Sequence, residues 1–216
     1  MAMDIKICGL KTEDAVRAAI AGGASHVGFI FFAKSPRHTD PETAGRLAAL
    51  ARAEGVHPVA VTVNADDATL DEIVEVMKPA MLQLHGKESP ERVAAVKARY
   101  GLPVMKAVSV SEAADLDKVK PYRGVADRFL FDAKPPKGSE LPGGNAVSFD
   151  WSLLAAVEPG LDYFLAGGLD AGNVADAIAI ARPPGLDISS GVERAPGVKD
   201  TGLIAAFFEA VRSAGR

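Results

Sequence analysis

Short apolar runs rich in β-branched residues alternate with amphipathic stretches along all 216 residues of this chain, through eight cycles. Ile5-Lys6-Ile7-Cys8 is the first such run and Gly9 ends it. Thr12 then stands where an N-cap belongs, ahead of a helix whose Ala15, Val16, Ala19 and Ile20 share one stripe. Gly22-Gly23 stops that helix, and His26 to Phe31 reads as the second strand. Asp40-Pro41 starts the next helix, with proline where its missing N–H costs little. Further strands are expected at Val59 to Val63, Met81 to Leu84, Val104 to Val108, Phe129 to Phe131, Tyr163 to Ala166 and Leu186 to Ile188.

The intervening helices carry their own start signals. Leu70, Ile73, Val74 and Met77 form an i, i+3, i+4, i+7 stripe, with Thr69 and Glu72 spaced as a capping box. Ser89-Pro90, Ser111 and Asp150 mark three later helix starts, and helices are expected over Ala171 to Ile180 and Leu203 to Val211. Strands of this kind, each followed by a helix, make a parallel sheet covered by helices. Eight cycles favour a single α/β domain over 1–216, a closed (β/α)8 TIM barrel; an open doubly wound sheet is the rival. No linker or low-complexity tract divides the chain.

Bulk properties narrow the function. Hydrophobic residues make up 48% and charged residues 24%, with a formal net charge of −4. That balance argues against nucleic acid as a partner, which calls for a basic face. One cysteine cannot form an internal disulfide, the start MAMDIKI has no apolar signal core, and no apolar run has membrane-spanning length. A cytoplasmic location without membrane contact is the expectation. Oligomeric state is not legible.

In a barrel of this type the site lies at the carboxyl ends of the strands. Cys8, Gln83, His85, Asp132, Gly167-Gly168 and Ser189-Ser190-Gly191 all fall at such ends. Two loops, Phe32 to Thr39 and Ala133 to Ser148, are placed to shape the pocket. The second is long and rich in Pro, Gly and Lys, which suits a cover.

Each of these residues has a bland reading beside the chemical one. A free cysteine often serves as a small buried hydrophobe. As a base, Cys8 needs its thiolate stabilised, because a pKa of about 8.5 leaves only about 3% ionised at neutral pH. Lys6 can share its side of the strand. Asp132, at the lip of Phe129-Leu130-Phe131, suits a desolvated general acid or a simple cap. Gln83 and His85 point the same way from one strand, or fill the barrel and a loop. LAGGLDAGNV from Leu165 and DISSGVE from Asp187 join strand, glycine and helix start in consecutive units. There glycine lets backbone N–H groups approach a phosphate, and both segments in register favour that over ordinary tight turns. Arg37, in Ser35-Pro36-Arg37, offers a planar fork for a carboxylate or phosphate.

Taken together, KICG, FIF with SPR, QLHG, FD, AGGL and D-x-SSGVE resemble, in order and spacing, the phosphoribosylanthranilate isomerases of tryptophan biosynthesis. The resemblance runs across nearly the whole chain. It implies an Amadori rearrangement of N-(5′-phosphoribosyl)anthranilate, an aldose–ketose type isomerisation, with Cys8 as general base and Asp132 as general acid. Arg37 would meet the anthranilate carboxylate. Gln83, His85, Gly167, Gly168, Asp187, Ser189, Ser190 and Gly191 would contact the phosphorylated substrate, with no metal and no cofactor. Another sugar-phosphate isomerase or epimerase, and a noncatalytic sugar-phosphate-binding protein, are the alternatives. One departure stands out: Gly143-Gly144-Asn145-Ala146 occupies the place of a GGTG-like stretch.

Overall fold

Eight parallel strands close on themselves in the computed structural model, which describes residues 3–215 apart from Lys137, Glu140 and Ala146. They are β1 (Asp4–Cys8), β2 (His26–Phe31), β3 (His57–Thr62), β4 (Met81–Leu84), β5 (Val104–Val110), β6 (Arg128–Ala133), β7 (Tyr163–Leu165) and β8 (Gly185–Ile188). β1 pairs with β2 through Lys6↔His26 and with β8 through Asp4↔Gly185, so no strand of the barrel is left as an edge. An open doubly wound sheet is thereby excluded.

Among the described residues six α-helices cover the barrel: α1 (Glu13–Gly22), α2 (Pro41–Ala53), α3 (Asp67–Met77), α4 (Pro90–Tyr100), α5 (Val174–Ala181) and α6 (Thr201–Ala214). Thr12, Asp40 and Ser89 cap their helices as expected, each accepting a backbone N–H from the first turn. The start of α3 differs. Asp66, not Thr69, is the cap and receives the Thr69 N–H at 2.9 Å, so the helix begins three residues earlier and Thr69 lies inside its first turn. Leu70, Ile73 and Met77 are buried from this helix as the stripe requires.

Two of the expected helices are 3-10 segments. Residues Ala113–Tyr122 wind this way, and Ser111 does not cap them; its N–H and hydroxyl both donate to Asp115 instead. Pro121 in the last turn has no N–H for an α-helical bond. Trp151–Ala156 is the other, capped by Asp150 through Ser152 N–H at 3.0 Å. α5 begins at Val174 rather than Ala171, since Asp170 binds the N–H groups of Gly172 and Asn173 in a turn. A hairpin of β9 (Glu193–Ala195) and β10 (Val198–Lys199) follows β8 and has no counterpart in the sequence reading.

Strand alternation sorts the side chains. Ile5 and Ile7 of β1 join the large core between barrel and helices, as do Phe129 and Phe131 of β6. Their neighbours Lys6, Cys8, Leu130 and Asp132 take the opposite, inner face. Inside the barrel, Met105, Leu130, Phe164 and Ala166 form one small apolar cluster, and Cys8, Val59 and Val61 another. The phenylalanines beside Asp132 therefore stabilise the outer core and do not line the site.

Candidate active site

The carboxyl ends of the strands surround a cavity of about 720 Å³, counted out to its mouth. Cys8, Arg37, Gln83, His85, Asp132, Gly167, Gly168, Asp187, Ser189 and Ser190 all reach its wall. Residues Leu141 to Asn145 of the long loop after β6 form part of the same wall. Gly191 does not reach it. A Cβ at Gly191 would collide with the Leu169 carbonyl, so this glycine serves the packing of the strand ends.

At the floor, Cys8 shares the inner face of β1 with Lys6, two residues earlier. Gly28 on the neighbouring strand makes the room: a Cβ there would stand 2.8 Å from Cys8 Sγ and 3.1 Å from Lys6 Cε. Lys6 is completely enclosed and donates from Nζ to Asp187 Oδ1 at 2.9 Å. Burial alone would lower the Lys6 pKa, but Asp187 and Cys8 outweigh it and hold the ammonium above its ordinary value. For Cys8, burial raises the thiol pKa most strongly and Asp187 adds to it, while Lys6 and Lys199 pull it down. The net direction is upward. The thiol is the form favoured at neutral pH, and Lys6 and Lys199 are the cations opposing that preference.

On another wall three side chains form a relay. Gln83 Nε2 and His85 Nδ1 are 2.9 Å apart, and His85 Nε2 lies 3.3 Å from Asp132 Oδ2. With the Gln83 amide donating to Nδ1, a neutral ring carries its proton on Nε2, toward the carboxylate. Asp132 Oδ1 accepts the Ala133 N–H at 2.9 Å. Gly143 of the loop sits directly over this pair; a Cβ there would run into Asp132 Oδ2 and stand 2.7 Å from His85 Nε2. Gly143 and Gly144, which keep the GGTG-like pattern, lie on the cavity wall; of the two departures Asn145 lies there too, and Ala146 lies outside the described residues.

Arg37 is not the solvated loop side chain of its bland reading. It is buried, with Nε and Nη2 each 2.8 Å from an oxygen of Glu193, and its stem lies against Gly9. Nη1 faces Gly144 at the cavity wall. Glu193 also accepts from Lys199 Nζ at 2.8 Å. Burial would lift the Glu193 carboxyl, but Arg37 and Lys199 overcome it and hold it below the usual range. Lys199 pays the larger desolvation cost and is brought down to about 8.

Gly167 and Gly168 take positive φ of 91° and 64°, the left-handed region that suits glycine. At Gly168 a Cβ would also stand 2.7 Å from Ser148 N, so the backbone of the covering loop rests on this turn. Ser189 donates its hydroxyl to the Cys8 carbonyl at 3.1 Å and links β8 to β1. Lys199 and the partnership of Glu193 with Arg37 escaped the sequence reading. Glu193 stood inside the quoted DISSGVE segment, but its partner is 156 residues away.

Comparisons with known proteins agree with this geometry. The family described as N-(5'phosphoribosyl)anthranilate (PRA) isomerase matches residues 5–210. An N-(5'-phosphoribosyl)anthranilate isomerase of Mesorhizobium japonicum is 69% identical over 214 residues, covering 99% of this chain and 97% of the relative. One from Brucella canis is 64% identical, covering 99% and 96%. The crystal structure of phosphoribosyl anthranilate isomerase from Thermotoga maritima superposes with a TM-score of 0.87 at 33% identity, over 98% of this chain and all of that one. A phosphoribosyl anthranilate isomerase solved with reduced 1-(o-carboxyphenylamino)-1-deoxyribulose 5-phosphate gives a TM-score of 0.84 at 31% identity, over 98% and 100%. With a closed eight-stranded barrel and this resemblance along nearly its full length, the chain belongs to the N-(5'-phosphoribosyl)anthranilate isomerase family.

Proposed function

We propose that this chain catalyses the Amadori rearrangement of N-(5′-phosphoribosyl)anthranilate to 1-(2-carboxyphenylamino)-1-deoxyribulose 5-phosphate, with Asp132 as general acid and Cys8 as general base. The observation that carries the assignment is that Cys8 and Asp132, 124 residues apart, line one cavity together with the glycine-rich ends of β7 and β8 and the guanidinium of Arg37.

In this reading Asp132 delivers a proton to the furanose ring oxygen as the C1′–O bond breaks. The nitrogen lone pair moves into the C1′–N bond and leaves an iminium. Cys8 thiolate then removes the proton on C2′, and the C–H electrons flow toward the iminium to form an enolamine. Tautomerisation gives the ketone. The iminium is the electron sink, so the chain's own acid and base account for every proton and electron without a cofactor. His85, aimed at Asp132 and held by Gln83, keeps the carboxyl oriented. Gly167, Gly168, Ser189 and Ser190 hold the phosphate chiefly through the backbone, while Arg37 meets the anthranilate carboxylate through Nη1. Asp187 holds Lys6 and acts on the Cys8 thiol itself, with a sign opposite to the lysine's. The reaction is assigned to the cytoplasm, where a lone thiol stays reduced.

The test is addition of freshly generated N-(5′-phosphoribosyl)anthranilate with loss of its anthranilate-type fluorescence followed in time. Turnover by the folded protein supports the reading, and ligand binding without turnover replaces it with a sugar-phosphate-binding role.

A further inference from the structure

The hairpin β9–β10 brings two charged side chains, Glu193 and Lys199, to the back of Arg37, and both are almost fully enclosed. Glu193 occupies Nε and Nη2 of the guanidinium with both carboxylate oxygens, each at 2.8 Å. This bidentate arrangement consumes one side of the fork and leaves the Nη1 side toward the cavity. Lys199 meets the same carboxylate at 2.8 Å and is fixed from below by the Ser189 carbonyl at 2.8 Å and hydroxyl at 3.2 Å. The hairpin turn is seated too: a Cβ on Gly197 would collide with the Pro36 carbonyl, in the residue preceding Arg37.

The electrostatic consequence follows from the signs. Arg37 and Glu193 alone form a neutral pair, and an incoming carboxylate would meet a guanidinium whose charge is already cancelled. Lys199 adds the second cation, so two positive groups against one negative leave one net positive charge behind the open side of the fork. In a buried setting such a charge acts with little screening by water.

We infer that Glu193 and Lys199 are positioning residues that, with Arg37, make the site selective for a phosphoribosylamine whose aryl group carries a carboxylate: Glu193 aims the guanidinium and Lys199 restores the charge that Glu193 cancels. The inference rests on the isomerase reading for the identity of that substrate. Lys199 does not line the cavity and acts on the aryl carboxylate through Glu193 and Arg37, apart from its pull on the Cys8 thiol.

The experiment compares the whole protein with Lys199→Met and with Glu193→Gln/Lys199→Met. It reads kcat and KM for phosphoribosylanthranilate, and inhibition constants for two reduced product analogues, one with the aryl carboxylate and one without. Lys199→Met is expected to raise KM and the inhibition constant of the carboxylated analogue about tenfold, the scale of one charge-assisted contact; kcat falls as well, because the same ammonium pulls down the Cys8 thiol, so the decision rests on the two analogues. The analogue lacking the carboxylate should be unaffected. The double variant removes the cancelling charge as well, and should recover most of the discrimination between the analogues. A merely structural role would weaken both analogues equally and would not be rescued by a second substitution.

Equal weakening, unchanged KM, or no recovery in the double variant overturns the inference. If Lys199→Met does not fold, the double variant carries the decision: it has neither the Glu193 carboxylate nor the Lys199 ammonium, and loss of its discrimination overturns the idea. A wild-type protein that discriminates the analogues but turns nothing over would sink the isomerase reading and leave the charge cluster standing.

Discussion

Nζ of Lys6 lies 2.9 Å from Oδ1 of Asp187, and the carboxylate of this enclosed ion pair lines the same cavity as the thiol of Cys8. Its two members act on the thiol with opposite sign: the ammonium lowers its pKa and the carboxylate raises it. The balance between them sets how much thiolate is available for proton abstraction.

Replacing Lys6 by Met should therefore move the ionisation of the Cys8 thiol to higher pH, because loss of the cation leaves burial and Asp187 to favour the thiol. Asp187→Asn should move it to lower pH by removing the opposing charge. Thiolate absorbance titrated against pH checks both directions independently of turnover, and shifts of the same sign in the two variants would refute the assignment.

Cys8→Ala and Asp132→Asn should each reduce kcat by at least about a hundredfold, the lower scale for a positioned base or acid. Both side chains sit at strand ends on the inner face, so the folded state should survive. Steady-state kinetics alongside circular dichroism separates loss of chemistry from loss of structure; near-wild-type kcat in either variant removes that residue from its role.

Gly143→Ala should lower kcat/KM by about tenfold or more, because the new methyl meets Asp132 Oδ2 and His85 Nε2 and forces the loop off the acid. Gly143 is in a surface loop away from the main core, so the thermal midpoint should change by less than about 2 °C. A fully active variant would show that the loop does not rest on Asp132 during turnover.

At the opposite end of the barrel, burial brings His26 from 6.5 down to about 4. Its ring lies between His57 and Phe164, at 5.2 and 5.3 Å, with Ser25 Oγ 2.8 Å from Nδ1. The folded chain holds this ring neutral while the unfolded chain takes up a proton. Its contribution to stability is therefore complete above pH 6.5 and is lost as pH falls toward 4, by about 3 kcal/mol at most. Urea denaturation across that window should show a smaller loss in His26→Gln than in the wild type; parallel slopes would contradict the assignment.

Helix starts show how far local reading reaches. Thr12, Asp40 and Ser89 were legible because a cap depends on residues within one turn. Asp66 and Thr69 are both cap-type residues three apart, and Asp66 takes the role by accepting the N–H of Thr69. The segment at Ala113–Tyr122 read as a helix, but Pro121 and the Ser111–Asp115 contacts fold it as 3-10 turns. The β9–β10 hairpin is too short to carry a period of its own.

Local signals along the chain dictate the order of strands and helices and the strand end at which each motif stands. Period-two alternation and capping are local, and they also place Lys6 with Cys8 on one face of β1. Only the closed barrel decided which charges meet. Lys6 finds Asp187 from 181 residues away, Arg37 finds Glu193 from 156, and Gly143 folds back over Asp132. Such pairs depend on how β8 closes onto β1 and on the desolvation that closure imposes, and neither is written in the spacing of any one segment.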